Sequence, residues 1–368
     1  MSKRKYYSLD KIKALKCQYS LIFGERSNGK TYACLHEILL NYKERGSQGA
    51  YIRRWDEDIQ AKRMMVLFDG HVKNGTVAKI FKQEGWNDVY YYAGKFFLCR
   101  YEDGKRITDQ NPFCYCFSLS AMEHDKSTSY PGIDFCCFDE MLTRGMFLQN
   151  EFVLLMNVLS TIIRDRTNVS IYLLGNTVNK YCPYWDEFGI GHVIPKMKPG
   201  DIKVVSYGES GLRMAIEYAD SPNKEGKPSD IYFAFDNPSL KMITNGQWET
   251  AIYPHLMRKY KPMDVIFQYF IVFGEATLHC EVIDDGEVTY TYIHDKTSEI
   301  KNPEDDLIFS FDDSPLTNHR RNITRPIDRL GKKILDYYTN GIVYYQNNDI
   351  GEIVRNYLLQ CRNDSIIK

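Results

Sequence analysis

The segment Gly24–Thr31 constrains the fold of this 368-residue chain more than any other feature of its sequence. Its residues, GERSNGKT, match the pattern GxxxxGK[ST], and they lie between an apolar run, QYSLIF, and a helical pattern that begins at Gly29. A strand that enters such a loop and a helix that leaves it are what a phosphate-binding P-loop requires. The alternation of strand-like and helical runs around it predicts an α/β fold with a parallel sheet.

The residue types in this loop suit a nucleotide. The glycines let successive backbone N–H groups point at phosphate oxygens, and the helix that follows adds its positive amino end. Lys30 is expected to reach the β- and γ-phosphates, and the Thr31 hydroxyl to ligate Mg²⁺. The alternative, a chance match in a glycine-rich turn, does not account for the flanking strand and helix. The predicted nucleotide-binding residues are Gly24, Glu25, Arg26, Ser27, Asn28, Gly29, Lys30, Thr31 and Asp139.

Carboxylates and an amide follow two later strand-like runs. The apolar run Phe135–Phe138 is followed directly by Asp139 and Glu140, which is the pattern of a Walker B strand. We expect Asp139 to hold Mg²⁺ through water and Glu140 to deprotonate the attacking water, although adjacent carboxylates can also form a solvated strand cap. After the next apolar run, Asn176 is a candidate sensor of the γ-phosphate or, alternatively, a turn residue. The predicted ligands are therefore ATP and Mg²⁺, and the predicted reaction is hydrolysis by water.

Composition excludes several other classes of protein. Lys and Arg number 47 against 48 Asp and Glu, so the chain lacks the strongly basic character of a nucleic-acid coat protein. The ten cysteines contain no CxxC pair, which argues against a standard cysteine zinc site and for a reduced, cytosolic protein. No window holds the ~18 apolar residues of a membrane span, so no membrane partner is expected.

The pattern of predicted strands, helices and loops changes near residue 200, and this change predicts the domains. Residues 1–200 alternate apolar strands with helices and are predicted to form the P-loop ATPase domain. Residues 201–250 are predicted to be a connector because loop-like stretches rich in Pro, Gly and charge fall there. Residues 251–368 are predicted to form a smaller α+β domain of three strands and two terminal helices.

Several segments together resemble the DNA-packaging ATPase (encapsidation protein) of phi29-type bacteriophages, which is related to large terminases. They occur in the family's order as FGERSNGKT at 23–31, YIRR at 51–54, SLSAMEHDKSTSYP at 118–131, FDE at 138–140, IRDR at 163–166 and LGNTVNKYCP at 174–183. The resemblance implies a ring, expected to be pentameric, that drives double-stranded DNA through the portal (connector) into a procapsid. It also implies a protein of the host cytoplasm that is transiently at the portal vertex and absent from the mature virion, with a structural prohead RNA as a further candidate partner.

The resemblance also suggests roles for four cations. Arg26 resembles an arginine that touches phosphate within its own subunit. Lys126 and Arg164 resemble residues presented to the ATP of the neighbouring subunit, and Arg166 is a second candidate; the alternative for each is a surface cation or a pair with Asp165. A cation placed at the γ-phosphate in this way is worth roughly 10³–10⁵ in rate.

For the second domain, the resemblance implies a degenerate RNase H-like fold. Working nucleases of this type hold two metal ions with several carboxylates, one of them within the first strand. The corresponding run here, VIFQYFIVF at 265–273, contains no carboxylate, so no DNA cleavage is expected.

Basic residues outside the P-loop are candidate contacts to the DNA backbone, and such contacts would be sensitive to salt and independent of sequence. The alternative is a set of solvated faces, balanced in part by the acidic stretch Glu299–Asp313. The candidates are Lys62, Arg63, Lys105, Arg106, Arg320, Arg321, Arg325 and Arg329.

Other functions fit the same motifs. A different P-loop nucleic-acid translocase or helicase would carry them, as would a nucleotide-dependent scaffold for capsid assembly. A metabolite kinase fits less well, because a Glu directly after the Walker B Asp favours hydrolysis by water.

Overall fold

The computed structural model of the protein describes residues 6–26, 28–121, 128–143, 147–148, 150–177, 182–220, 253–256, 258–274 and 276–365. The chain forms two compact units. The first comprises 1–144, 150–180 and 187–249, and the second comprises 145–149, 181–186 and 250–368. Within the described ranges, no helix is both long enough and apolar enough to cross a bilayer.

A ten-stranded sheet forms the centre of the first unit. Its strands are β1 (Tyr19–Gly24), β2 (Gln48–Arg53), β3 (Asp88–Tyr92), β4 (Lys95–Glu102), β5 (Lys105–Thr108), β6 (Cys114–Ser118), β7 (Ile133–Phe138), β8 (Ser170–Asn176), β9 (Ile202–Tyr207) and β10 (Leu212–Ala219). They lie in the order β3-β4-β6-β2-β7-β8-β1-β10-β9, with β5 paired to β4. From β6 across to β10 every neighbouring pair is parallel, which confirms the predicted parallel sheet.

Two helices up to residue 220 are longer than three turns, and the others are short. The α-helices are α1 (Asp10–Lys13), α2 (Lys30–Arg45), α3 (Ala61–Met64), α4 (Asp69–Lys73), α5 (Thr76–Ile80), α6 (Glu151–Ile163) and α7 (Pro183–Glu187). Single 3₁₀ turns lie at Asp56–Ile59, Ile194–Lys196 and Gly208–Ser210.

Local sequence explains β1 and α2, the two elements that flank the P-loop. Leu21, Ile22 and Phe23 of β1 are fully buried, as expected for a parallel strand covered on both faces. The helix α2 buries residues one turn apart and ends at Gly46, whose φ is +66° and whose N–H donates to the carbonyl of Tyr42 at 2.9 Å. Glycine suits that left-handed position, because it has no Cβ to clash.

The prediction of a connector is wrong for residues 202–219. Residues 202–207 and 212–219 are the strands β9 and β10, and residues 214–219 of β10 pair in parallel with all six residues of β1. Most of β10 is buried, including Met214, Ala215 and Ile216. The strand follows a Pro- and Gly-containing turn that suggested a boundary, but its apolar side chains complete the sheet beside the P-loop strand. Residues 221–250 of the expected connector lie outside the described residues.

The second unit is an α+β structure, as the sequence predicted. Its strands are β11 (Val265–Phe273), β12 (Ala276–Asp284), β13 (Thr289–Asp295), β14 (Ile308–Ser310), β15 (His319–Arg320) and β16 (Val343–Tyr345), with a 3₁₀ turn at Pro262–Asp264 and the helices α8 (Arg329–Thr339) and α9 (Asn348–Ser365). They form a sheet of order β15-β14-β11-β12-β13-β16, in which β11, β12 and β13 are antiparallel neighbours.

One face of this second sheet forms its core. Side chains such as Tyr269, Ile271 and Cys280 pack there with residues of α8 and α9, including Ile334 and Tyr357. Successive side chains of a strand point to opposite faces, so the alternate residues of β11 and β12 lie on the other face. The RNase H-like assignment of this unit stays a prediction.

Candidate nucleotide-binding site

The loop between β1 and α2 has the tight backbone that the P-loop motif requires. Gly29 has a φ of +98°, a conformation that residues with a Cβ rarely adopt. A Cβ on Gly24 would lie 2.7 Å from the carbonyl oxygen of Ala219 in β10. Both glycines are therefore required by the fold, one for its backbone angle and one for its close neighbour.

Lys30 lies at the centre of this loop and is 5% exposed. Its Nζ donates to the carbonyl oxygen of Glu25 at 2.7 Å and to Asn28 Oδ1 at 3.2 Å, and it lies 3.3 Å from Asn176 Oδ1. Burial lowers the pKa of Lys30 to about 8, against the attraction of Asp139 and Glu25. Nζ also donates to the carbonyl oxygen of Gly24 at 3.4 Å, so the loop and Asn176 surround this buried cation with oxygen acceptors.

The side-chain amide of Asn28 is poorly satisfied. Asn28 is 3% exposed, and its Nδ2 has no hydrogen-bond partner among the described residues. A buried N–H donor without an acceptor costs roughly 1–3 kcal/mol, so such groups usually have a ligand to satisfy them. Together with the Lys30 ammonium, this donor fits an anion such as a phosphate.

Asp139 and Thr31 meet at the same edge of the sheet. The Thr31 hydroxyl donates to Asp139 Oδ2 at 3.1 Å, and the Tyr51 hydroxyl donates to the same oxygen at 2.9 Å. Asp139 is 8% exposed. A hydroxyl and a carboxylate oxygen are hard ligands of the kind that Mg²⁺ takes beside nucleotide phosphates, so these two residues fit the predicted ion.

Strand order explains why Asn176 reaches this group. The strand β8 lies between β7, which precedes Asp139, and β1, which precedes the P-loop. Asn176 is the last residue of β8 and is paired with Gly24. The carboxyl ends of parallel strands meet at one edge of a sheet, so its amide lies between the two motifs.

Glu140 is held by Arg53, a residue that the sequence left without a defined role. Glu140 has a φ of +59°, which is uncommon for a residue with a side chain, and its side chain is 56% exposed. Arg53 Nη2 donates to Glu140 Oε2 at 2.6 Å, and Arg53 Nη1 donates to the Tyr51 hydroxyl at 3.3 Å. Tyr51 and Arg53 are two positions apart in β2, which pairs with β7, so only the strand pairing reveals their place in the site.

Beneath Glu140 lies a buried ion pair that fixes the backbone. Arg54 is 4% exposed and donates to both carboxylate oxygens of Glu151 at 2.7 and 2.8 Å. It also donates to the carbonyl oxygens of Glu140 and Met141 at 3.1 and 2.7 Å. This guanidinium therefore joins the end of β2, the residues after β7 and the start of α6.

We expect replacement of Arg54 by methionine to lower the free energy of unfolding by about 3–5 kcal/mol, because it removes the buried cation that contacts both oxygens of the Glu151 carboxylate. Urea denaturation measures the change. The double variant Arg54→Met/Glu151→Met removes both charges and should recover part of the loss. A single variant as stable as the wild type would contradict the structural role of this pair.

The structure places Arg164 and Arg166 away from this site. Both follow α6 and donate to carbonyl oxygens of residues that precede β7, which lie at the amino edge of the sheet. Arg164 is exposed, has a φ of +49° and donates to the carbonyl of Thr128 at 3.0 Å. Helix α6 has 13 residues and spans about 20 Å, so Arg164 cannot contact the P-loop of its own chain.

The two arginines differ in what they contact. Arg166 donates to five backbone carbonyls, those of Tyr130, Pro131, Ile133, Ile162 and Ile163. That guanidinium is committed to joining the end of α6 to the start of β7. The exposed Arg164 is the better candidate for contact with another molecule. Lys126 and Ser27, which the sequence also singled out, lie outside the described residues.

The remaining basic candidates are dispersed. Arg26 and Lys62 are exposed, and Arg63 pairs with Asp58. In β5, which begins at Lys105, the Arg106 guanidinium lies 3.4 Å from the centre of the Tyr90 ring. In the second unit, Arg320 pairs with Asp328 at 2.6 Å and Arg321 with Asp364 at 3.2 Å. Arg329 is exposed and Arg325 half-buried. Internal ion pairs therefore take up part of the basic cluster at 320–333.

A family model matches most of the chain, and curated relatives match about half of it. Residues 1–362 match the family described as podovirus DNA encapsidation protein (Gp16). The DNA packaging protein of Bacillus phage B103 is 27% identical over 174 residues, which are 46% of this chain and 48% of that protein. The chain thus aligns with about half the length of this curated relative, and the figure for the protein of Bacillus phage phi29 is 52%.

Solved structures share the fold. The bacteriophage Phi-29 viral genome packaging motor assembly contains a chain that matches with a TM-score of 0.59 and 19% identity, over 97% of this chain and 99% of that one. The Phi-28 gp11 DNA packaging motor matches with a TM-score of 0.53 and 15% identity, over 98% and 99% of the two chains. At these identities the likeness concerns the fold, which supports the α/β assignment from the sequence.

Proposed function

The chain belongs to the podovirus DNA encapsidation protein (Gp16) family, and on that premise we propose that it hydrolyses ATP to drive double-stranded DNA into a procapsid. The observation that carries the proposal is the convergence of Lys30, Thr31, Asp139 and Asn176 at one edge of a parallel sheet, with hydrogen-bond distances of 3.1–3.3 Å between them. Glu140 follows directly at the same edge. Together, these five residues supply the groups that hydrolysis of a nucleoside triphosphate requires.

Each residue of the site has a distinct task in this proposal. Lys30 and the donors of the P-loop bind the phosphates, while Thr31 directly and Asp139 through water would hold Mg²⁺, which would neutralise charge on the phosphate oxygens. Glu140 takes the proton of the attacking water, and Arg53 orients the Glu140 carboxylate through their 2.6 Å ion pair. Asn176, through its contact with Lys30, responds to the state of the γ-phosphate.

The site is incomplete within one chain. Among the described residues, the cations near Asp139 and Glu140 are Lys30, Arg53 and Arg54, and both arginines are already paired with carboxylates. We therefore propose that Arg164 of a neighbouring subunit completes the site across an interface of a ring on the portal, and a pentamer is the expected ring. Lys126 remains a second proposed contributor.

Nucleotide affinity should depend on pH through Lys30. Bound phosphates favour the ammonium form, so binding raises the pKa of Lys30 above its value of about 8 in the free protein. Above pH 8, ATP binding should then take up a proton, and affinity should fall by up to ~10-fold per pH unit. Calorimetric titration at pH 7 and pH 9 in two buffers measures both effects. The Lys30→Arg variant, charged at both pH values, should show neither; equal affinity of the wild type at the two pH values would contradict the assignment.

A DNA-packaging assay distinguishes this proposal from the alternatives of a helicase and a capsid-assembly scaffold. ATP hydrolysis should be stimulated by double-stranded DNA and cognate procapsids, and the DNA should become resistant to added nuclease. A helicase would instead separate the strands of a labelled duplex. Negligible hydrolysis with all components present would favour a scaffold that assembles on the capsid.

A further inference from the structure

Three potential metal ligands lie together on the solvent side of the second sheet. His279 and Glu281 are two positions apart in β12, and His294 is paired directly with His279 across β13. Residues two apart in a strand, and residues directly opposite each other, point to the same face of a sheet. All three side chains therefore lie on the face opposite the core that contains Cys280 and Ile293.

The three ligand atoms form a compact group. One atom from each residue lies within 4.8 Å of the others, and Glu281 Oε2 is 3.1 Å from His294 Nε2. The edge of a tetrahedral zinc site is ~3.3 Å, as bond lengths of about 2.0–2.1 Å imply. Separations of up to 4.8 Å exceed that edge, so the side chains must rotate to close around an ion. The side chains of Glu281 and His294 are 16% and 25% exposed, so solvent reaches the group from one side.

The hydrogen bonds around the group suit a cation at its centre. His294 Nδ1 lies 3.0 Å from the carbonyl oxygen of Asp295, which accepts its proton and leaves Nε2 facing the Glu281 carboxylate. A neutral imidazole would then point a lone pair at a negative oxygen, so a proton or a metal ion must lie between them. Metal-bound histidines commonly donate their second ring N–H to a carbonyl in this way.

Neighbouring residues complete the surroundings of the three ligands. The Tyr260 hydroxyl donates to Glu281 Oε2, and Gln268 Oε1 lies 3.1 Å from His279 Nε2. The nearby charges are mixed: Lys296 and Asp306 both act on His279, and their effects on a bound cation oppose each other. The Glu281 carboxylate thus supplies the negative charge of the group.

We propose that His279, Glu281 and His294 bind one divalent transition-metal ion of the Zn²⁺ type, with one coordination position left to water. Two imidazoles and one carboxylate suit Zn²⁺, whereas Mg²⁺ prefers oxygen ligands alone. The group also differs from the two-metal carboxylate site of a nuclease, because it has a single carboxylate. The ion joins β12 to β13, so it stabilises the second sheet, and this role is independent of ATP hydrolysis in the first unit.

The test uses the full-length protein, freed of metal with a chelator and titrated with Zn²⁺. Metal analysis after dialysis should find about one more ion per chain in the wild type than in the His279→Ala/His294→Ala variant. Loading with Co²⁺ should give the visible absorption of a tetrahedral site in the wild type alone. The variant His319→Ala, which removes a histidine of the same unit outside the group, should match the wild type.

A conservative variant guards against loss of fold. Glu281→Gln keeps a hydrogen-bond acceptor for Tyr260 and removes the charge, so it should bind Zn²⁺ at least 10-fold more weakly while its circular dichroism stays unchanged. Zn²⁺ should also raise the melting temperature of the wild type but not of the double variant. Equal Zn²⁺ content in the wild type and the double variant would overturn the proposal and leave a protonated His294–Glu281 ion pair in its place.

Discussion

Replacing Arg164 by alanine is expected to lower the rate of ATP hydrolysis by about 10³–10⁵-fold, while nucleotide affinity changes little. Arg164 is exposed at the amino edge of the sheet, about 20 Å along α6 from the P-loop edge of its own chain. In the proposed mechanism, its effect on hydrolysis would arise at the site of a neighbouring subunit, where its charge would stabilise the γ-phosphate as the bond breaks. Steady-state hydrolysis with DNA and procapsids, together with equilibrium nucleotide binding, measures the two quantities.

A matched control separates this role from a general loss of surface charge. Arg213 is also an exposed arginine at the amino edge of the same sheet, since it is the second residue of β10 and directly precedes the residue paired with the start of β1. The Arg213→Ala variant should hydrolyse ATP at the wild-type rate. If Arg164→Ala does the same, Arg164 has no part in the reaction, and Lys126 becomes the candidate to test.

Glu140→Gln is expected to lower the rate of hydrolysis by about 10²–10⁴-fold and to leave ATP bound. The amide keeps the shape of the side chain and can still contact Arg53, but it cannot accept the proton of the attacking water. Single-turnover hydrolysis separates this chemical step from binding and product release.

Glu102→Gln is the matched control for this variant. Glu102 is likewise an exposed glutamate at the end of a strand, and it is paired with Arg100 at 2.6 Å. The Glu102→Gln substitution should leave the rate of ATP hydrolysis unchanged. A Glu140→Gln protein that turns over ATP as fast as the wild type would exclude Glu140 as the general base.

The P-loop and the Walker B strand could be predicted because their signals are local. Lys30 and Thr31 follow an apolar strand and begin a helix, and Asp139 follows another apolar strand, so each position depends on neighbours in the sequence. Asn176 could be predicted for the same reason. Its contact with Lys30, however, requires β8 to lie beside β1, and the local sequences of these two strands do not predict that they are neighbours.

Other parts of the site depend on contacts between distant segments. Tyr51 and Arg53 lie at the site because β2 pairs with β7, and the sequence alone assigned neither residue a role there. The difference between Arg164 and Arg166 is also tertiary: five carbonyl contacts occupy Arg166 and one occupies Arg164. The strand β10 was missed because turn residues before it resembled a domain boundary, whereas its pairing with β1 places it in the sheet.

The most direct test of the account is complementation between two inactive proteins. Glu140→Gln lacks the general base but presents Arg164, and Arg164→Ala lacks the arginine but keeps the base. Mixed in equal amounts with DNA and procapsids, they should form interfaces in which an intact site meets an intact arginine, and ATP hydrolysis should rise well above that of either protein alone. If the mixture is no more active than the two proteins measured separately, the site is not shared between subunits.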